Sequence, residues 1–173
     1  MSNSERKNYL NQIFVTLYKI PWIKNRWAKK FDAQLFDDIP WTKVTKPLKD
    51  CRLALVTTSG VHLKNDRPFN MADKEGDPSL RVIPWPPSRN DLIITHDYYD
   101  HSDAEKDINV VLPIDPMKKC LSDGIIGSVS SQIYSFMGHI IGQHIPTLVE
   151  KSAKNLVHQL HRERIDLVLL SPA

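Results

Sequence analysis

An α/β domain with a mainly parallel sheet is what this sequence predicts, and three observations predict it. Apolar runs of strand length, RLALVTT at 52–58 and LVLL at 167–170, lack the alternation of a half-exposed strand and read as strands buried on both faces. A long segment of helical period, 146–164, feeds the second of them, with Leu148, Ala153, Leu156, Val157 and Leu160 on one face. Shorter apolar runs between these are punctuated by Gly, Pro, Ser and Asp, so strands alternate with helices, the pattern of parallel pairing with helices on the sheet faces. At 173 residues the chain can bury a core without disulfides or metals to hold it.

Residues 1–38 form a leader. Leu10, Ile13, Phe14 and Leu17 fall at helical spacing, which predicts an amphipathic helix ending near Pro21. Residues 1–30 hold seven Lys/Arg and one Glu, against 16 basic and 19 acidic residues in the remainder, so the basic character belongs to the leader. Trp22, Ile23 and Trp27 stand among Lys24, Arg26, Lys29 and Lys30. Such a segment packs on its own domain or a partner subunit, with peripheral membrane contact as the alternative. No second basic stripe supports nucleic-acid binding. The chain carries neither a membrane-length apolar run nor a signal peptide, and its two cysteines, Cys51 and Cys120, make no disulfide framework, so a cytoplasmic location is expected.

The domain proper spans 39–173. After the strand at 52–58, SGVHL supplies a glycine where the backbone turns. Residues 64–90, with Pro68, Pro78, Pro84, Pro86 and Pro87, read as a long ordered loop. DLIIT (91–95) and INVVLPI (108–114) read as further strands, and Asp115-Pro116 as the capped start of a short helix that stops at Gly124. GIIGSVSS gives another short strand before the long helix.

Chemistry concentrates after predicted strand ends. His96, Asp97, Asp100, His101 and Asp103 in THDYYDHSDAEKD could form a His/carboxylate acid-base pair, a metal set, a polar pocket wall or a solvated loop. The spacing matches no metal motif, so no metal is assigned. Ser59, Gly60 and His62 border the same predicted crevice, without the G-x-S-x-G turn of a serine hydrolase. GIIGS lacks the full dinucleotide fingerprint, so no cofactor is assigned to this chain. Tyr134 is a further candidate substrate contact in the histidine-containing stretch YSFMGHIIGQH.

Taken together, IPWTKVTKPLKDCRLALVTTSGVHLKNDRPFN, EGDPSLRVIP, THDYYDHSDAEKDINVVLPID, GIIGSVSSQIYSFMG and IDLVLLSPA resemble the selenoprotein B family of glycine, sarcosine, betaine and D-proline reductases. The resemblance runs from about Ile39 to Ala173 and implies a Rossmann-like oxidoreductase domain that reductively cleaves a C–N bond of a small amino-acid-like substrate. It implies a selenocysteine or cysteine nucleophile, a second thiol or thiol reductant that resolves the adduct, and a partner subunit whose pyruvoyl group holds the amine. In the family the nucleophile follows the strand that matches Asp166–Pro172. The domain is therefore expected to be incomplete at its C-terminus, with a UGA selenocysteine codon after Ala173 read as a stop; a cut fragment and a short non-catalytic paralogue acting as a binding or subunit-interaction module are the alternatives. On this reading Ser59, Gly60 and Tyr134 contact substrate. His62 or His101 protonates the leaving amine, Asp97 or Asp100 orients that group, and His96 lines the pocket.

Overall fold

A computed structural model describes residues 42–173, together with residues 13, 16, 17 and 19–29. The chain divides into two units, one of Met1–Lys43 with Asp97–Asp100, the other of Val44–His96 with His101–Ala173. In the first, residues 13, 16 and 17 are helical, and a turn closes with Ile20 N–H on the Leu17 carbonyl at 3.0 Å. A new helix, α1, then runs over Pro21–Ala28. Pro21 was expected to end a helix; it opens one, because a first-turn residue needs no N–H donor and its fixed φ suits the helix. Leu10 and Phe14 of the predicted amphipathic stripe lie outside the described residues. No helix among the described residues is long and apolar enough to cross a membrane.

The second unit contains β1 (Arg52–Thr57), β2 (Val61–Leu63), β3 (Arg81–Pro84), β4 (Leu92–Ile94), α2 (Ser102–Lys106), α3 (Ile114–Ser122), β5 (Ser128–Ser135), α4 (His144–Thr147), a π-helical stretch (Leu148–Ala153), α5 (Lys154–Arg162) and β6 (Leu167–Ser171). Four strands make a mixed, mostly parallel sheet in the order β3-β5-β1-β6, with β1 parallel to β5 and β6 and β3 antiparallel to β5. A separate antiparallel ribbon pairs β2 with β4.

Alternation along the strands divides the core. Ala54, Val56, Tyr134 and Phe136 face the helical run, where Leu148, Leu156, Leu160 and Ile165 pack on them. Leu55, on the opposite face of β1, is fully buried, and the adjacent Thr57 Oγ1 donates to the Val111 carbonyl at 3.1 Å, which brings segment 108–114 across that side.

That segment corrects one expectation. INVVLPI was predicted to be a strand, yet Ile108–Val110 is a 3-10 turn whose Asp107 side chain accepts from Asn109 N–H, and Ile114 already belongs to α3. Val111, Leu112 and Ile114 are apolar because they are buried in the sheet-facing loop, a pattern that a short central strand shares. The expected Asp115 cap is also displaced. Asn109 Oδ1 accepts from Asp115 N–H at 3.0 Å while its Nδ2 donates to Asp107 and Asp115, so the capping side chain comes from the preceding turn. Gly124 follows α3 with φ +67°, as the stop signal required.

Two other elements differ in kind. The proline-rich loop contains β3, an edge strand whose Pro84 sits at its end, where a missing donor costs little. DLIIT does form a strand, but in the ribbon and not in the main sheet. The terminal strand, β6, was expected and pairs with β1 in parallel; Leu170 is 67% exposed among the described residues.

Candidate functional site

The carboxyl ends of β1 and β5 are tied into one platform. Phe136 N–H donates to the Thr57 carbonyl and Gly60 N–H to the Phe136 carbonyl, both at 2.9 Å, and Thr58 N–H reaches the carbonyl of Ser171, the last residue of β6, at 3.2 Å. Crevices outside such strand ends are where open α/β sheets bind ligands. Ser59 is fully buried, its hydroxyl 2.7 Å from Thr57 Oγ1. Gly60 adopts φ +72°, and a Cβ there would lie 2.5 Å from the Thr95 carbonyl and 3.0 Å from His96 Cβ. Only glycine lets the β1 turn approach the β4 end so closely. Gly60→Ala is expected to cost about 2 kcal/mol, from a left-handed backbone plus that contact; a loss below 0.5 kcal/mol in urea unfolding would show that the approach is not tight.

His62 and His96 stand on the two sides of this turn. His62 is 1% exposed, with Nδ1 on the Leu63 carbonyl at 2.7 Å and Nε2 on Thr95 Oγ1 at 2.8 Å. A carbonyl can only accept, so Nδ1 carries a hydrogen, and the threonine hydroxyl bonds the other ring nitrogen. Phe69 closes over the ring edge-on, centroids 5.9 Å apart. His96 is 5% exposed. Burial, reinforced by the neighbouring His139 and His101, depresses its pKa to about 4 against the opposing pull of the Met137 carbonyl. Three histidines therefore share one electrostatic neighbourhood at the strand ends.

His101 is more open and immediately precedes α2; its Nδ1 lies 2.9 Å from Glu105 Oε1, one helical turn on. Asp97 and Asp100 fall in the other unit, where Asp100 Oδ2 accepts from Lys19 Nζ at 2.7 Å. Asp103, exposed on α2, pairs with Lys106. Tyr134 is fully buried in the helix-side core and reaches toward Gln132 Oε1. Among the described residues no three His, Cys, Asp or Glu side chains converge in a metal-binding arrangement.

Sequence reasoning did not find a cleft of about 550 Å³ beside this platform, lined by loop 66–82 and His144. Because β3 runs antiparallel to β5, with Arg81 opposite Ser135 and Val82 opposite Tyr134, the cleft opens at the carboxyl end of β5. His144 Nε2 and Asp73 Oδ2 are 2.9 Å apart. That contact, followed by the Glu75 N–H, holds the Asp73 carboxyl below the usual carboxylate range. Loop 73–76 also clasps the chain after β5, with His139 Nε2 donating to the Lys74 carbonyl at 3.1 Å and Ile141 N–H to the Glu75 carbonyl at 2.9 Å. Gly76, at φ +92°, lies so close to the His139 carbonyl that no side chain fits. A His/Asp pair 71 residues apart has no spacing signature; the clue was only that EGDPS and GHIIGQH are both polar, glycine-bearing segments flanking strands.

The family model for the glycine/sarcosine/betaine reductase selenoprotein B matches residues 23–173. The chain is 44% identical over 131 residues, 76% of its length, to D-proline reductase subunit gamma of Acetoanaerobium sticklandii, and covers 52% of that protein. It is 26% identical over 153 residues to glycine reductase complex component B subunit gamma of Symbiobacterium thermophilum, covering 84% of this chain and 34% of that one. With sarcosine reductase complex component B subunit beta of Peptoclostridium acidaminophilum it shares 24% identity over 123 residues, 65% of this chain and 26% of the other. The chain thus spans about half the length of the first of these relatives and about a third or less of the other two. No solved structure gives a significant match.

Proposed function

The chain belongs to the glycine/sarcosine/betaine reductase selenoprotein B family, and from that membership we propose that it forms the Rossmann-like part of a reductase subunit that cleaves the C–N bond of a small amino acid or betaine. The observation that carries the reading is the 44% identity to a D-proline reductase subunit. The polar platform at the carboxyl ends of β1 and β5 gives the substrate a place to bind. Ser59 and Gly60 shape its floor and His96 its wall. Tyr134 braces the floor through the core, and nearly sealed His62 holds Thr95 in position. His101 donates the proton that the departing amine takes up, with Glu105 aligning its ring.

Neither cysteine suits the nucleophile's role. Cys51 is buried at the amino end of β1, its Sγ donating to the Pro47 carbonyl at 3.3 Å, and Gly127 and Ser128 N–H close on its carbonyl. Cys120 sits in α3, bonded through its carbonyl to Ile125 N–H in the turn that leads to the start of β5. Both therefore stand at the opposite edge of the sheet from the platform. The attacking selenol or thiolate is assigned outside these 173 residues, after β6 in a longer polypeptide. A dithiol reductant and a pyruvoyl-bearing subunit complete the complex.

His101→Gln in the assembled reductase is expected to lower kcat about a hundredfold with KM little changed, since positioned proton donors contribute on that scale. Glu105→Gln, which leaves the imidazole in place, should fall between it and wild type. An unchanged kcat in His101→Gln would remove the residue from the mechanism.

A further inference from the structure

The last rung between β1 and β6 is made by a side chain. Thr57 pairs with Ser171 at the end of the parallel ladder, and Thr58 N–H donates to the Ser171 carbonyl at 3.2 Å. A regular parallel ladder would next bond the Ala173 N–H to the Thr58 carbonyl. Here that N–H donates instead to Thr58 Oγ1, at 3.3 Å.

The reason lies on the other side of β1. The chain after β5 passes so close that a Cβ on Gly138 would collide with the Thr58 carbonyl oxygen and stand 3.3 Å from Thr58 Cβ. Only a residue without a side chain, here at φ +90°, allows that approach. The Thr58 carbonyl therefore meets the chain after β5, and the hydroxyl meets the chain after β6. Thr57 does not share the task, because its Oγ1 lies 2.7 Å from Ser59 Oγ and donates to the Val111 carbonyl at 3.1 Å.

Thr58 thus holds Ser171 and Ala173 at two points, one through its main chain and one through its side chain. Between them Pro172 has a φ fixed by its ring and no N–H of its own. Residues that would fray at the end of an edge strand instead leave the sheet in one direction, beside the strand-end platform.

We propose that Thr58 is a positioning residue of the reductase: its hydroxyl aims the segment that follows β6, and with it the attacking selenol or thiolate, at a substrate on the platform. The proposal rests on the reductase reading, which puts that nucleophile beyond β6. Thr58 acts through the Ala173 backbone and not on the reacting atoms. A displacement of about 1 Å in a reacting group costs up to about a hundredfold in rate, so this single tether matters more to turnover than to folding.

The test uses the natural polypeptide in its assembled complex, as wild type, Thr58→Val and Thr58→Ser. Valine keeps the branched shape and removes the acceptor, whereas serine keeps the acceptor. In Thr58→Val, kcat is expected to fall at least about tenfold with KM and melting temperature unchanged, and in Thr58→Ser to return to within about threefold of wild type. Hydrogen exchange at the Ala173 amide, which needs no turnover, should be several-fold faster in Thr58→Val and close to wild type in Thr58→Ser. Equal exchange in wild type and Thr58→Val, an unchanged kcat in Thr58→Val, or a serine variant as impaired as the valine one would overturn the proposal while leaving the reductase reading intact. A wild-type complex that consumes no amino-acid substrate would remove that reading, and the proposal with it.

Discussion

Glu163→Ala is expected to destabilise the domain by about 4 kcal/mol, the sum of several hydrogen bonds at about 1 kcal/mol each plus the donors it would strand. Glu163 lies just past α5 and is 11% exposed. Its Oε2 accepts from Ser130 Oγ and Ser131 N–H, each at 3.0 Å, and from Arg52 Nη2 at 2.8 Å, while Oε1 accepts from Ser131 Oγ at 3.0 Å. One carboxylate thereby fastens the end of α5 to β5 and β1. Burial alone would raise its pKa; the Ser131 N–H and the two serine hydroxyls outweigh it, with Arg52 assisting, so the group stays below the ordinary glutamate range. Glu163→Gln keeps the shape and loses the charge, and should cost roughly half as much. Urea unfolding measures both. A loss under 1 kcal/mol for the alanine variant would mean that the carboxylate is not what joins helix to sheet.

The second large effect is a pH dependence centred on His96. Its folded pKa of about 4 lies below the ordinary 6.5, so between those values the unfolded chain binds a proton that the native state refuses. Stability is therefore complete above pH 6.5, falls as pH drops and levels off below about 4, a loss of about 3 kcal/mol for a shift of that size. The carboxyls of Asp73, Asp77, Glu163 and Asp166 are displaced downward, and depressed acids contribute stability that is lost only as pH falls below the ordinary carboxylate range. The window from pH 6.5 to 4.5 is thus governed chiefly by His96. Unfolding free energies measured across it should slope steeply in wild type and much less in His96→Asn. Parallel slopes would show that His96 is not held neutral by its surroundings.

The elements most legible in the sequence were those whose burial and period agree. β1 and the helical run 144–162 follow from apolar spacing, and β6 was found at the right place, because parallel strands and a helix packed on a sheet leave distinct apolar signatures. INVVLPI failed because burial without periodicity does not separate strand from loop. β3 was hidden by the prolines around it, and its antiparallel edge pairing with β5 could not be inferred from a local pattern.

The site was legible to the same extent. Ser59, Gly60 and His96 could be singled out as candidates because they follow strands, and a strand end is a local feature. Glu105 was within reach, one helical turn from His101, but was passed over for the nearer aspartates. The Asp73–His144 pair depends on loop 66–82 folding back along β5, which no short window reveals.

The central claim, membership in a working amino-acid reductase, is tested most directly by isolating the complex from its own host through a tag on this chain and following consumption of D-proline, glycine, sarcosine and betaine with a dithiol as reductant. The account predicts that at least one is consumed with one dithiol oxidised per C–N bond broken, and that consumption stops when the dithiol is withheld. A complex that contains this chain with its partner subunits and consumes none of the four would contradict it.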